Sequence, residues 1–301
     1  METVPIVMSF SKNYVLPALV TIKSLIQNVS DVSRIEIFIL HNDFDHHLVS
    51  FIEKYVLKHN CGISLINFSK ALDGISHKEH KYPEIFYTVF IPKYFSVYKK
   101  VIAIDSDVLV LDDVLKLIDN FPSEKKMGGV HCFFRNNERY GDMHNFRAYA
   151  RNVVGIKNPK NMFNSGLMVF NNEKISREEA DLCIDLLPKK WDSHDESILN
   201  FVFQHDLHFF SIRWNFQMEF FNAQGEDFFS EIREDFTKSK DDIAICHFIG
   251  PSKPWMNGNV LEKGNPYLER YKHAYMSVRE EVIEILPQIF CGSMWSVMER
   301  M

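Results

Sequence analysis

The strongest constraint on this chain is a rhythm in its first seventy residues. Three short apolar runs, PIVMSF (5–10), IEIFIL (35–40) and GISLINF (62–68), alternate with two longer amphipathic stretches, YVLPALVTIKSLIQ (14–27) and DHHLVSFIEKYVLKH (45–59). Apolar runs of this length read as strands buried on both faces, and the stretches between them as helices, with Pro17 tolerated in a first turn. Strands joined by helical crossovers lie parallel, so the predicted class is α/β: a mostly parallel central sheet flanked by helices. In such sheets ligands settle beyond the carboxyl ends of the strands.

One such end carries an unusual load. KVIAIDSDVLV (100–110) places Asp105 and Asp107 between two apolar runs, with a further helix opened by Asp112 or Asp113. Two carboxylates at the end of a buried strand are costly unless a cation meets them. Residues two apart on a strand lie on one face, about 6.5–7 Å apart at Cα, close enough to converge on one divalent cation. A second Asp-x-Asp, Asp43 and Asp45 beside His46 and His47, also follows a strand, but the helix behind it makes capping the simpler role.

Three later motifs add candidate groups. In FNSGLMVFN (163–171), Asn164, Ser165 and Gly166 precede an apolar strand (166–170) and read either as a turn or as an approach to a hydroxylated ligand. SHDESILN (193–200) puts Asp195 and Glu196 in the first turn of a helix, where acids suit the dipole and can also reach a pocket edge. CHFIGPSKPW (246–255) ends the strand 242–248 at His247, turns at Gly250 and brings Lys253 back. Two aspartates and an imidazole favour Mn²⁺ over Mg²⁺, and a lysine neutralises phosphate as a point charge.

Taken in order, IAIDSDVLV, FNSGL, HDESILN and HFIGPSKPW resemble family 8 glycosyltransferases, which include bacterial lipopolysaccharide galactosyltransferases and glycogenin; the resemblance covers roughly residues 4–256. It implies a GT-A (nucleotide-diphospho-sugar transferase) fold and a retaining, metal-dependent hexosyltransferase. Such an enzyme moves galactose or glucose from a UDP-sugar to a saccharide acceptor, a glycolipid or polysaccharide precursor of a cell-surface glycan. By the same resemblance, Asp105, Asp107 and His247 are the metal ligands for Mn²⁺, with Mg²⁺ as second choice. Ser11, Asn13 and Tyr14 of SKNYVL, Asp105, Ser106, Gly250 and Lys253 bind the nucleotide, and Asn164, Ser165, Gly166 and Asp195 the donor sugar. Asp195 and Glu196 form the catalytic pair, Glu196 replacing the family's common Gln. Four positions depart from the pattern: Ser11 for an Asp that reads the base, Thr88 for an Arg, Cys132 near a donor-sugar Asp, and Ser197 for a second Asp.

Two other functions compete: a haloacid-dehalogenase-like phosphatase, whose apolar strand also ends in Asp-x-Asp, and a catalytically weak nucleotide-binding protein. A net charge of −6 argues against a nucleic-acid partner. Five scattered cysteines without CxxC spacing fit a reducing compartment. METVPIVMSF lacks the basic and apolar regions of a cleaved leader, so a cytoplasmic location is expected. The expected domains are 1–256, catalytic, and 257–301, a helical C-terminal appendage with a helix over 266–286. That appendage either packs as core or touches the inner face of a membrane. Twenty-six Phe predict an aromatic core.

Overall fold

The structure, a computed structural model, describes residues 2–73, 82–143, 145–189, 191–251, 253–256 and 265–289, with side chains for all of these but 141–143 and 286–289. Ten strands form among them: β1 (Val4–Ser9), β2 (Ile35–His41), β3 (Gly62–Asn67), β4 (Lys100–Ile104), β5 (Val108–Val110), β6 (Met127–His131), β7 (Phe163–Asn171), β8 (Leu207–Phe209), β9 (Phe216–Gln217) and β10 (Ile245–His247). The longer helices are α1 (Val15–Asn28), α2 (His46–Leu57), α3 (Arg177–Asp185), α4 (His194–Phe203), α5 (Ser230–Ser239) and α6 (Pro266–Ile289). The main sheet has seven strands in the order β3-β2-β1-β4-β7-β6-β8. Its pairings are parallel except where β7 runs against β4 and β6.

The expected alternation is visible in the packing. Ile6 and Met8 of β1, Ile37 and Ile39 of β2 and Ile102 and Ile104 of β4 enter one core with α1, α2 and α6. Val7, Phe38, Leu40, Val101 and Ala103, one residue out of phase, enter the other, with α3 and α4. The phenylalanines concentrate as expected: Phe133 meets the rings of Phe216, Phe220, Phe228 and Phe236 edge-on at 5.5–5.9 Å.

The apolar run after Asp107 forms β5, in a second sheet of order β5-β10-β9, ahead of the helix at which Asp113 accepts. One expectation needs correction. Asn164, Ser165 and Gly166 lie inside β7 rather than ahead of it, Asn164 pairing with Val130 across a bulge in β6. Turn-forming residues are held extended here by partners on both sides. Asp45 does cap α2, accepting from Leu48 N at 2.9 Å, and Asp43 accepts from Lys12 N at 3.1 Å. Asp113 accepts from Leu115 N at 3.0 Å ahead of the short helix Leu115–Asp119.

Helix α6 lies against α1 and α2, burying Tyr271, Val278 and Val282. Its Glu281 accepts from the buried Lys23 Nζ and from Tyr55 Oη, both at 2.8 Å. Residues 257–264 and 290–301, with most of the predicted appendage's apolar tail, lie outside the described residues. Among the described residues no helix is long and apolar enough to cross a membrane.

Candidate active site

The site forms where β4 ends and the second sheet begins. Asp105 leaves β4 with its N–H donated to Gly166 O of β7 at 3.0 Å. β5 then pairs antiparallel with β10, so that His247 stands opposite Val108, and Phe248 N donates to Asp107 O at 3.1 Å. Backbone pairing alone therefore brings the imidazole to the two carboxylates. His247 Nε2 lies 3.4 Å from Asp105 Oδ2 and 3.4 Å from Asp107 Oδ1.

The protonation of that ring follows from a chain of hydrogen bonds. Gly166 N–H must donate, so the atom it meets at 3.1 Å is Asn164 Oδ1. Asn215 Nδ2 donates to the same oxygen at 2.9 Å, which turns Asn215 Oδ1 toward His247 Nδ1 at 2.8 Å. His247 Nδ1 therefore carries a hydrogen for Asn215 Oδ1, and Nε2 is the ring atom turned to the aspartates. One ligand atom each from Asp105, Asp107 and His247 lies within 4.8 Å of the others. Two hard oxygens and a borderline nitrogen, the imidazole oriented from behind, fit a divalent cation such as Mn²⁺.

Gly166 is required by this packing. A Cβ there would stand 2.2 Å from His247 Cε1 and 2.4 Å from Nδ1. Lys253, buried, pairs with Asp107 Oδ2 at 2.5 Å and donates to Phe248 O at 2.8 Å. Burial works against ionising Asp107, but His247 and Lys253 outweigh it and hold the carboxyl well below the usual range. Gly250, at φ +85°, makes the left-handed turn that brings Lys253 back. Trp255 follows, its ring 5.8 Å from Tyr14 and 5.6 Å from Tyr271 of α6.

On the other side of Gly166 stand the two acids of α4. Asp195 accepts from Thr88 Oγ1 at 2.7 Å and from Ser165 Oγ at 3.4 Å. Glu196 has both oxygens engaged: Oε2 accepts from Asn164 Nδ2 at 3.1 Å, and Oε1 meets Arg135 Nη1 at 2.8 Å. Their helix starts from a left-handed His194, φ 45°, a strained conformation of the sort that clusters where side chains must be aimed. Arg135 comes from a short helix, Phe133–Asn136, and also donates to Cys132 Sγ and Ser193 Oγ, each at 3.0 Å.

Burial pushes the Asp195 carboxyl up to about 8, against the hydrogen bond from Thr88. Between roughly pH 4 and pH 8 the folded chain keeps a proton that the unfolded chain releases, so this group's contribution to stability falls across that window and levels off above it. Asp195→Asn is expected to flatten that part of the stability profile. Urea unfolding at pH 5 and pH 8 without nucleotide checks this, and an unaltered slope would remove Asp195 as its source.

The sequence model described as Glycosyl transferase family 8 matches residues 5–258. This chain belongs to glycosyl transferase family 8. General stress protein A of Bacillus subtilis (strain 168) is 23% identical over 263 residues, covering 84% of this chain and 86% of its own length. The lipopolysaccharide glucosyltransferase WaaO of Escherichia coli (strain K12) is 24% identical over 253 residues, 81% of this chain and 70% of WaaO. Among solved structures, an active-site mutant of LgtC superimposes with a TM-score of 0.73 at 21% identity, covering 91% of this chain and 95% of that one. Galactosyltransferase LgtC in complex with donor and acceptor sugar analogs gives 0.69. These structures fix the fold of this family 8 glycosyltransferase as GT-A, and with it the phosphatase reading falls.

Of the positions singled out in the sequence, Asp105, Asp107, Asn164, Ser165, Gly166, Asp195, Glu196, His247 and Lys253 form one connected region. Ser106 is buried, its carbonyl accepting from Thr21 Oγ1 at 3.1 Å. Tyr14 reaches the region through Trp255, while Asn13 is exposed and Ser11 makes no capping bond at the helix Lys12–Tyr14. Sequence reasoning missed Asn215 and Arg135, neither of which sits in a recognisable motif. The arginine expected at Thr88 is absent, and the buried Arg135 comes from elsewhere. Of the other departures, Cys132 touches Arg135, and Ser197 Oγ lies 3.0 Å from Tyr149 Oη.

Proposed function

We propose that this site transfers a hexose, galactose or glucose, from a UDP-sugar to a saccharide acceptor of a cell-surface glycan, with retention at the anomeric carbon. The observation that carries the reading is the Asp105–Asp107–His247 trio with its orienting Asn215 and the adjoining Lys253. WaaO's name as a lipopolysaccharide glucosyltransferase and the sugar analogs bound to LgtC support the donor and acceptor classes. Asp105, Asp107 and His247 would hold Mn²⁺ or Mg²⁺, which supplies Lewis-acid stabilisation of a departing diphosphate. Residues 1–256 would carry the chemistry, braced by the helix of 257–301, with the acceptor met at the inner face of the membrane.

The chain's own groups divide the remaining work. Lys253, already fixed beside Asp107, neutralises charge growing on the diphosphate, and the turn at Gly250 brings backbone close to it. Ser11, Asn13, Tyr14 and the Asp105–Ser106 segment hold the nucleoside. Asn164, Ser165, Gly166 and Asp195 face the sugar, where Asp195, protonated at neutral pH, has a hydrogen to donate to a hydroxyl. Glu196 is poorly placed as a nucleophile, because Arg135 and Asn164 already occupy its oxygens. It acts instead as a fixed negative charge beside a developing oxocarbenium ion. The bond from the anomeric carbon to the phosphate oxygen breaks as the acceptor oxygen bonds on the same face, and the acceptor's proton passes to the departing phosphate.

UDP release from a panel of UDP-sugars, with manganese and after chelation, tests the reading. Metal-dependent release with one hexose donor is expected. UDP binding without turnover on any donor would favour the catalytically weak binding protein, a reading to which Thr88 and Cys132 lend weight. A sugar found covalently on Glu196 by mass spectrometry would replace same-face attack with a double displacement.

A further inference from the structure

Arg135 has so far appeared only as a partner of Glu196, yet it is among the most deeply placed charges of the described residues, 3% exposed and with its guanidinium 5.9 Å from the ring of Phe146. A guanidinium is always charged and is taken from water only for strong partners. Its partners are three. Cys132 Sγ and Ser193 Oγ are uncharged, since burial pushes the Cys132 thiol up to about 11. Glu196, with 10% of its side chain exposed, is the anion. Ser193 and Glu196 flank the strained His194 at the start of α4, so one planar fork grips this turn at both ends.

We propose that Arg135 is a positioning residue for sugar transfer: it fixes the carboxylate of Glu196 at the sugar end of the site and, through Ser193, the opening turn of α4. The inference rests on the functional reading above. Glu196 is held from two sides, by Asn164 from the β7 face and by Arg135 from below. Asn164 does not depend on Arg135, because Gly166 N and Asn215 already set its orientation. Removing Arg135 therefore frees Glu196 while the trio and Lys253, none of which it touches, stay in place. The effect belongs to the chemical step rather than to nucleotide binding.

The test compares Arg135→Met, Arg135→Lys, Glu196→Gln and the double variant Arg135→Met with Glu196→Gln. Arg135→Met is expected to lower kcat by about 10²-fold, with the KM for the UDP-sugar and the Kd for UDP with manganese unchanged within about threefold. Arg135→Lys, lacking the fork, is expected to recover little. The double variant leaves no unpaired buried charge, so it is expected to fold and to match Glu196→Gln alone. Unchanged kcat in Arg135→Met, a parallel loss of UDP affinity, or a double variant markedly slower than Glu196→Gln alone would each overturn the proposal. If the wild-type protein turns over no donor, the functional reading fails by itself. The positioning role is then judged by a crystal structure of Arg135→Met: Glu196 turned away from Asn164 supports it, and Glu196 still in place overturns it.

Discussion

Asp107→Asn is expected to reduce manganese-dependent turnover by about 10³-fold, the scale on which removing a pre-organised electrophilic contact acts. The substitution keeps the shape of the side chain and leaves the Phe248 N–H bond to the Asp107 carbonyl intact, so the fold survives. Two things are lost together. The trio gives up a hard anionic oxygen, and the buried ammonium of Lys253 keeps Phe248 O but loses its counter-charge. Breaking one side of such a pair costs about 3 kcal/mol. Turnover at saturating manganese and urea unfolding read the two losses separately. Wild-type turnover in this variant would mean that the carboxylate pair has no part in the reaction.

The second large effect comes from a residue with no side chain. Gly166→Ala puts a methyl group 2.2 Å from His247 Cε1. Relief requires the imidazole to swing away, since the backbone at 166 is held by Asp105 N on its carbonyl and by Asn164 Oδ1 on its N–H. Swinging breaks the Nδ1 bond to Asn215 and turns Nε2 from the aspartates. Loss of such an orienting contact lowers metal affinity by about 10–100-fold. A manganese titration of UDP release should shift to higher concentration by that factor, and urea unfolding should show a loss of about 1–3 kcal/mol from the overpacked site. An unshifted titration would show that the ring at 247 is not a ligand.

The two substitutions also mark what could be read from the sequence. Asp105, Asp107 and His247 stood out because each borders an apolar run, but what brings the imidazole to the carboxylates is the antiparallel pairing of β5 with β10, which no local pattern announces. The rhythm of the first three strands likewise carried through to β1, β2 and β3. Gly166 was noticed for a different reason from the one the structure supplies: Asn-Ser-Gly is turn chemistry, and only the ring of His247, distant in sequence, explains a glycine inside a strand. Asn215 left no local trace and Arg135 only a faint one, because neither repeats a spacing and the partners that matter, Asn164 and His247 for one and Glu196 for the other, are long-range. A buried arginine within HCFFRNN is out of keeping with its apolar neighbours, and that mismatch was the available signal.

The pairing of β5 with β10 has a consequence for the order of events during synthesis. The two aspartates leave the ribosome early, while the imidazole that completes their set arrives far later and is delivered by the strand opposite Val108–Val110. A nascent or truncated chain that stops short of His247 thus has the two carboxylates without the imidazole, and β5 without the strand that pairs with it.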